Sequence, residues 1–349
     1  MNQLGKPHGA LGVSSFLGII SPAYFVASVG PLAHPQYVHH LLRSRLYICE
    51  YERRGKFMPP SQFDISWEQF RDINVLLPPL AQQRAIADFL DTEAARIDGL
   101  VAKKRSMIAV LSERFETAIF EAVTRGIAGE RPVAPCGLAW VDEIPADWGT
   151  PPVSANFDLS LGKMLNGEAV EGTELYPYLR NLNVQWDRFD LADLGMMNFD
   201  ADDRRHYALI PGDLLVCEGG EVGRAAVWSG EISNCFFQKA IHRVRPRRGA
   251  NPRFLMYCLR AAAKQSVFRV EGNLSTIVHL TGEQLRSHRF PWPPASEQAD
   301  IVVHLDRLAA VVGATNSRLT QQIDLLAEHR QALVTAAVTG ASRATGVTA

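Results

Sequence analysis

Apolar residues between Leu77 and Ile127 fall at Ile86, Leu90, Ala94, Ile97, Val101, Ile108, Leu111, Phe115, Ala118 and Ala122. The steps are mostly threes and fours, with Lys104 the one charged residue in the row. That period predicts a single long helix carrying the seam of a coiled coil. Pro78 and Pro79 precede it, where proline ends a loop and costs the helix no hydrogen bond. A second row follows Pro293-Pro294: Ile301, Leu305, Ala309, Val312, Leu319, Ile323, Leu326, Leu333 and Ala337, interrupted by Asn316 and Arg330. A constant offset of 215 lays one stretch on the other without a gap, pairing Gln83 with Gln298, Leu90-Asp91 with Leu305-Asp306, and Ala122-Val123-Thr124 with Ala337-Val338-Thr339. The chain is therefore read as a repeat. A rise of ~1.5 Å per residue makes each helix roughly 65–70 Å long, so a mutual antiparallel pair over Ala81–Gly126 and Ala295–Gly340 is expected, with Ile86, Leu90, Ile108 and Leu111 in its seam.

The remaining chain reads as mixed α/β. Alternation around Gly18-Ile19-Ile20 and Ala23-Tyr24-Phe25-Val26 predicts opening strands, and a short helix follows from His34-Pro35 to Leu41-Leu42. A loop, Arg53-Arg54-Gly55-Lys56-Phe57, then leads to Phe63-Asp64-Ile65-Ser66. In the later half, Asn251-Pro252-Arg253-Phe254 through Leu259 parallels His34-Pro35-Gln36-Tyr37 through Leu42 at an offset of 217, and Glu283-Gln284-Leu285 answers Glu68-Gln69-Phe70. The repeat thus reaches back into the globular parts. Strands are expected over Leu159–Leu165, Tyr176–Val184, Leu209–Val216, Ala225–Trp228 and Phe236–Val244, mostly antiparallel, with a helix over Asn251–Lys264. The fold class is α+β: two mixed α/β globules, the first partial, separated by two long helices that form an antiparallel coiled coil. The expected boundaries are 1–77 for the partial globule, 78–127 for the first helix, 128–139 for a Gly/Pro-bearing linker, 140–291 for the second globule, 292–341 for the second helix and 342–349 for a tail.

Composition narrows the function. With 349 residues, 47% of them hydrophobic, the chain can bury a sizeable core, and no apolar run approaches the ~20 residues of a membrane span. The five cysteines are scattered and suggest neither a disulfide framework nor a zinc site, so a reduced, cytoplasmic location is expected. Net charge is only -1, yet Trp140–Asp203 holds 13 acidic and 3 basic residues, and Arg204–Arg269 holds 12 basic and 4 acidic. Either this asymmetry builds a face for an anion, or the two segments neutralise each other within one globule. No lysine has an acidic residue two positions before it, as a common metal-dependent nuclease site requires, and no phosphate-binding G-x-x-x-x-G-K-[ST] loop exists. Ser21-Pro22-Ala23-Tyr24 and Asn251-Pro252-Arg253-Phe254 approach the amino-methyltransferase tetrad [DNS]-P-P-[YFW], but both lack its second proline. No catalytic or metal-binding residues are expected.

The order and duplication of these elements resemble the specificity subunit of type I restriction–modification systems. Carrying the likeness are Pro78-Pro79 with Gln82-Gln83, the Ile86–Asp91 run, Ile97-Asp98, Glu121–Thr124 and their second copies. Trp140–Trp148, Gly162-Lys163-Met164, Pro177–Val184 and Gly212–Leu215 look like that family's recognition domains. The resemblance implies a non-catalytic reader of double-stranded DNA with two target-recognition domains, each reading half of a bipartite site. The paired helices would set the spacing and dock two modification subunits, with restriction subunits joining them. S-adenosylmethionine, ATP and Mg would be bound by those partners, and this chain would carry no cofactor. The DNA-binding candidates are Lys56, Lys163, Arg180, Asn181, Asn183, Gly219, Gly220, Arg224 and Gln238. Arg, Asn and Gln can read base edges, Lys and Arg can hold phosphates, and glycines let backbone approach closely. For each the alternative is a solvated or turn-stabilising role. Arg180, Asn181, Asn183, Arg224 and Gln238 are expected to converge on one concave face, away from Asp200, Asp202 and Asp203. Two other readings compete: a coiled-coil scaffold without a DNA role, and the recognition part of a single-chain restriction enzyme.

Overall fold

The computed structural model describes residues 11–21, 24–58, 62–165, 172, 174–247, 249–270 and 279–341. The chain forms two compact units, residues 1–109 with 315–349, and residues 110–314. Two long helices, α4 (Leu80–Arg125) and α10 (Ala295–Val338), contribute to both.

In the first unit, α1 (Pro35–Leu42) opens with proline at its first turn, and α2 (Arg45–Arg54) follows at once. A hairpin of β1 (Lys56–Met58) and β2 (Gln62–Asp64) leads to α3 (Trp67–Arg71), which Ser66 and Gln69 start with a capping box. Tyr37, Leu41, Tyr47 and Tyr51 from the short helices pack with Ile86, Ala87 and Leu90 of α4 and Val334, Ala337 and Val338 of α10. The two long helices run antiparallel here, since Arg330 donates to Asp98 at 2.8 Å while Lys104 donates to Gln322 at 2.6 Å. Ile86 and Leu90 are buried, but against the short helices as much as in a seam. Leu100, Met107 and Leu325 remain exposed, and Leu100, Lys104, Gln322, Leu325, Leu326 and His329 line a shallow groove. The seam is therefore open in this stretch, where polar side chains stand among the apolar ones.

The opening strands expected around Gly18–Ile20 and Tyr24–Val26 do not form. No described residue there has regular structure, and Phe16, Leu17 and Ile19 are almost fully exposed. Strands need a ladder partner for their N–H and C=O groups, and no described strand lies beside them. Pro22 and Ala23 lie outside the described residues.

The second unit begins with a hairpin of β3 (Val133–Leu138) and β4 (Val141–Pro145), so the Gly/Pro stretch expected as a linker supplies a strand. A short helix, α5 (Val153–Asn156), precedes β5 (Phe157–Leu161). After β6 (Leu175–Leu179) come the small hairpin β7 (Val184–Gln185) with β8 (Arg188–Phe189), then β9 (Gly195–Asn198) and α6 (Ala201–Tyr207). Strands β10 (Leu214–Cys217), β11 (Ala225–Val227), β12 (Phe236–Phe237) and β13 (Ile241–Pro246) complete the sheets. An antiparallel four-stranded sheet has the order β11-β10-β13-β5, and a three-stranded sheet the order β12-β6-β9 with β12 parallel to β6. Every side chain of β10 is buried, as a central strand of continuous apolar sequence requires.

Helix α7 (Pro252–Lys264) lies in the core, and α8 (Val267–Val270) and α9 (Gly282–Ser287) follow it. Phe254 to Leu259 pack with Leu214 and Val216, and with Phe115, Ile119 and Ala122 of α4 and Ile301 and Leu305 of α10. Asn251 caps α7, its Oδ1 accepting from the N–H groups of Arg253 and Phe254. That near-match to a methyltransferase tetrad is therefore a helix cap.

The internal repeat extends to individual hydrogen bonds. Gln83 donates to the carbonyl of Pro78 at 2.7 Å, and Gln298 to that of Pro293 at 2.8 Å. The Ser66/Gln69 capping box of α3 is matched by Thr281/Gln284 on α9. In the first unit His40 of α1 contacts Asp91 of α4; in the second Tyr257 of α7 donates to Asp306 of α10. Gln331 donates to the Arg43 carbonyl, while Arg260 forks onto Glu116. Each pair obeys the offsets read from sequence.

Candidate nucleic-acid interface

Three loops of the second unit bring most of the candidate residues together. Strand β6 ends at Leu179 and passes into the single turn Asn181–Asn183. The loop from Glu218 to Arg224 joins β10 to β11, with Gly220 and Gly223 at φ +72° and +82°, values that side chains rarely tolerate. Between β12 and β13 lies Gln238, whose N–H donates to the Leu179 carbonyl.

Asn181 and Arg224 tie the first two loops. Asn181 Nδ2 donates to the Gly219 carbonyl at 2.8 Å, and Arg224 Nη2 donates to both the backbone carbonyl and Oδ1 of Asn181 at 3.0 Å. Buried Cys217 lies behind them, and its thiol is pushed up to about 11 by burial, against the opposing pull of Arg224. Gly220 is exposed, while Gly219 lies against His279. Arg180 forks onto Asp193, donating to its carbonyl at 2.7 Å and its carboxylate at 2.8 Å. Asn183 is fully buried: its Oδ1 accepts from the Arg180 N–H, and its Nδ2 donates to the carbonyls of Asp190 and Asp193. Its amide is thus spent on shaping the turn.

Lys163 and Gln238 meet at a backbone bridge, which packs Gly162 so closely against Gln238 that a Cβ would sit 2.3 Å from its carbonyl oxygen. Lys163 Nζ contacts Asp203 at 2.5 Å and the Asn198 carbonyl at 2.6 Å. The Lys163 ammonium is therefore taken up by Asp203 at the start of α6. The Gln238 side chain has no hydrogen-bond partner among the described residues. Lys56 belongs to the first unit, paired through its backbone with Asp64, and its side chain lies outside the described residues.

The charge asymmetry of the sequence resolves largely by internal pairing. Arg204 meets Glu174, Arg247 meets Asp158, and Arg253 meets Asp187. Arg245 forks onto buried Asp213. Arg243 donates instead to the carbonyls of His206 and Ala208, and burial lowers its pKa. Arg248 lies outside the described residues. The segment Arg204–Arg269 is thus not a free cationic face. Lys239, exposed beside Gln238, and Arg188, exposed on β8, have no carboxylate partner among the described residues.

Sequence reasoning passed over Lys239, Arg188 and Trp186 in this region. Lys239 stands next to a chosen glutamine and Arg188 in a short hairpin, and only their exposure sets them apart. Trp186 donates from Nε1 to Glu221 at 2.6 Å, bridging the β7–β8 turn to the Glu218–Arg224 loop. That pairing joins residues 35 apart in sequence and leaves no local pattern.

Residues 157–325 match the family model described as the type I restriction modification DNA specificity domain. The chain is 22% identical over 335 residues to the type I restriction enzyme EcoKI specificity subunit of Escherichia coli strain K12, an alignment covering 93% of this chain and 68% of that protein. It is 31% identical over 135 residues to the EcoBI specificity subunit of Escherichia coli, covering 38% of this chain and 27% of the relative. Among solved structures, a chain from a type I R-M system, determined for its complex assembly and conformational transition, aligns with a TM-score of 0.68 at 19% identity, covering 88% of this chain and 71% of the other. The HsdS subunit from Thermoanaerobacter tengcongensis aligns with a TM-score of 0.51 at 20% identity, with the same coverage.

Proposed function

From membership of the type I restriction–modification specificity-subunit family, we propose that this chain reads one bipartite DNA sequence and directs modification and restriction subunits to it, without catalysis of its own. The observation that carries the reading is the duplicated anchoring of a globule on each long helix, through Asp91 with His40 and Asp306 with Tyr257. Two readers fixed in equivalent ways on two related helices suit a target of two half-sites. In the second unit, Asn181, Arg224 and Gln238 offer amide and guanidinium groups able to pair with base edges. Lys239 and Arg188 offer phosphate contacts.

The test is methylome sequencing of the host with and without this gene, followed by the variant Asn181→Ala/Arg224→Ala. Loss of one asymmetric, interrupted methylation pattern on deletion is expected. The double variant should weaken that pattern, each lost base contact costing ~1–3 kcal/mol. An unchanged methylome after deletion would overturn the proposal. A normal pattern with the double variant would overturn the choice of loops.

A further inference from the structure

Asp187 occupies the turn between β7 and β8 at φ +58°, a region that non-glycine residues seldom adopt. Its N–H donates to the Ala225 carbonyl at 3.1 Å, and its carboxylate takes both Nη groups of Arg253, at 2.6 and 2.8 Å. The Nε of the same arginine lies 2.7 Å from both carboxylate oxygens of Asp306 on α10, to which Tyr257 also donates at 2.6 Å. One guanidinium therefore joins a hairpin turn to the second long helix. Beyond the turn, Trp186 holds Glu221, Glu221 faces Arg224 at 3.4 Å, and Arg224 holds Asn181. The contacts run unbroken from the helix to the candidate reading loops.

The first unit provides an internal comparison. Asp91 stands in the place of Asp306 and His40 in the place of Tyr257, 2.8 Å apart. The position of Arg253 is taken by Gln36. Fixing the helix aspartate thus needs no arginine. What the arginine adds is a planar fork, able to grip a second carboxylate while holding the first.

We propose that Arg253 is a positioning residue for DNA reading, which locks the Trp186-Asp187 turn to α10 and through Glu221 sets the placement of Arg224 and Asn181. This rests on the DNA-reading function proposed above. Arg253 touches no base; it decides whether the groups that do are held in register.

The experiment uses the chain assembled with its modification subunits. Kd is measured for a duplex carrying the methylated site and for an unrelated duplex of equal length. Arg253→Gln and Asp187→Asn should each weaken cognate binding about tenfold, the scale of one displaced base contact. Binding to the unrelated duplex and its salt slope should stay unchanged, since no phosphate contact is lost. Asp187→Asn leaves the Arg253–Asp306 pair in place, so its defect cannot come from a detached helix. The double variant should be no weaker than Arg253→Gln alone, because both cut the same link. Arg253→Lys, which keeps the charge without the fork, should behave like Arg253→Gln. Unchanged cognate binding, equal losses on both duplexes, or additive losses would each overturn the proposal. A wild-type complex that fails to distinguish the duplexes would overturn the parent reading, and this one with it. A wild-type complex that distinguishes them no better than Arg253→Gln does would overturn this one alone.

Discussion

Removing either member of the Arg245–Asp213 pair should destabilise the second unit, and the two removals should differ. Asp213 has a side chain with no exposure, while a third of Arg245 reaches solvent. The carboxylate accepts from Arg245 Nε at 2.6 Å and Nη2 at 2.7 Å, and from the Ile210 N–H at 2.9 Å. Arg245→Ala leaves a buried carboxylate with one backbone donor, and stranding a buried charge costs ~3–4 kcal/mol. Asp213→Ala removes the turn bond, about 1 kcal/mol. It also releases a guanidinium that can turn to water while keeping the Ala208 carbonyl, a further cost of about 1 kcal/mol after allowance for solvent screening. Urea unfolding at constant m should therefore place Arg245→Ala below Asp213→Ala by about 1–2 kcal/mol. The double variant should fall short of the sum, because the two residues form one interaction. A larger loss for Asp213→Ala, or strict additivity, would refute the reasoning.

The two repeat glutamines differ in what they hold. Gln83 accepts from the His34 N–H and donates to the Leu32 and Pro78 carbonyls, whereas Gln298 donates to Pro293. Gln83→Leu should cost ~2–3 kcal/mol and Gln298→Leu about 1 kcal/mol in denaturant unfolding, and the reverse order would contradict these bonding roles. Thiol reactivity should separate the cysteines by burial. Cys49 is exposed and should be modified fastest by a disulfide reagent in the native protein. Cys217 and Cys235, with thiols pushed up by burial to about 11 and about 12, and fully buried Cys258 should react only on unfolding, as mass spectrometry of the labelled sites would establish.

Periodicity made the long helices legible because apolar steps of threes and fours, sustained from Ile86 to Ala122 and again from Ile301 to Ala337, fit neither a strand nor a loop. The offsets of 215 and 217 also relate contacts that the sequence did not name, Asp91–His40 and Asp306–Tyr257, since duplicated sequence keeps duplicated packing. Apolar alternation near Ile19 misled, because alternation marks a strand only where a neighbouring strand accepts its hydrogen bonds. The candidate loops were legible as a neighbourhood but not as individual roles. Asn181 and Asn183 are two residues apart and of one type, yet one bridges two loops and the other is sealed inside its turn. Only the direction of the side chain separates them, and sequence spacing in an irregular turn does not encode it.

The charge pairing bears on how this chain can tell one DNA sequence from another. Had the Arg204–Arg269 excess stood free, binding would rest on phosphates, which hold any sequence alike. Instead Asp158, Glu174, Asp187 and Asp213 take up Arg247, Arg204, Arg253 and Arg245 inside the unit. For the proposed DNA reader, non-specific attraction would be lowered by this pairing, while the same arginines fix strand ends and turns. Under the DNA-reading function proposed above, groups such as Gln238, with its amide unpaired among the described residues, would then weigh more heavily in the choice of target. The proposed reader would gain from this arrangement, because weak holding of random DNA would leave the difference between right and wrong sites to the loops.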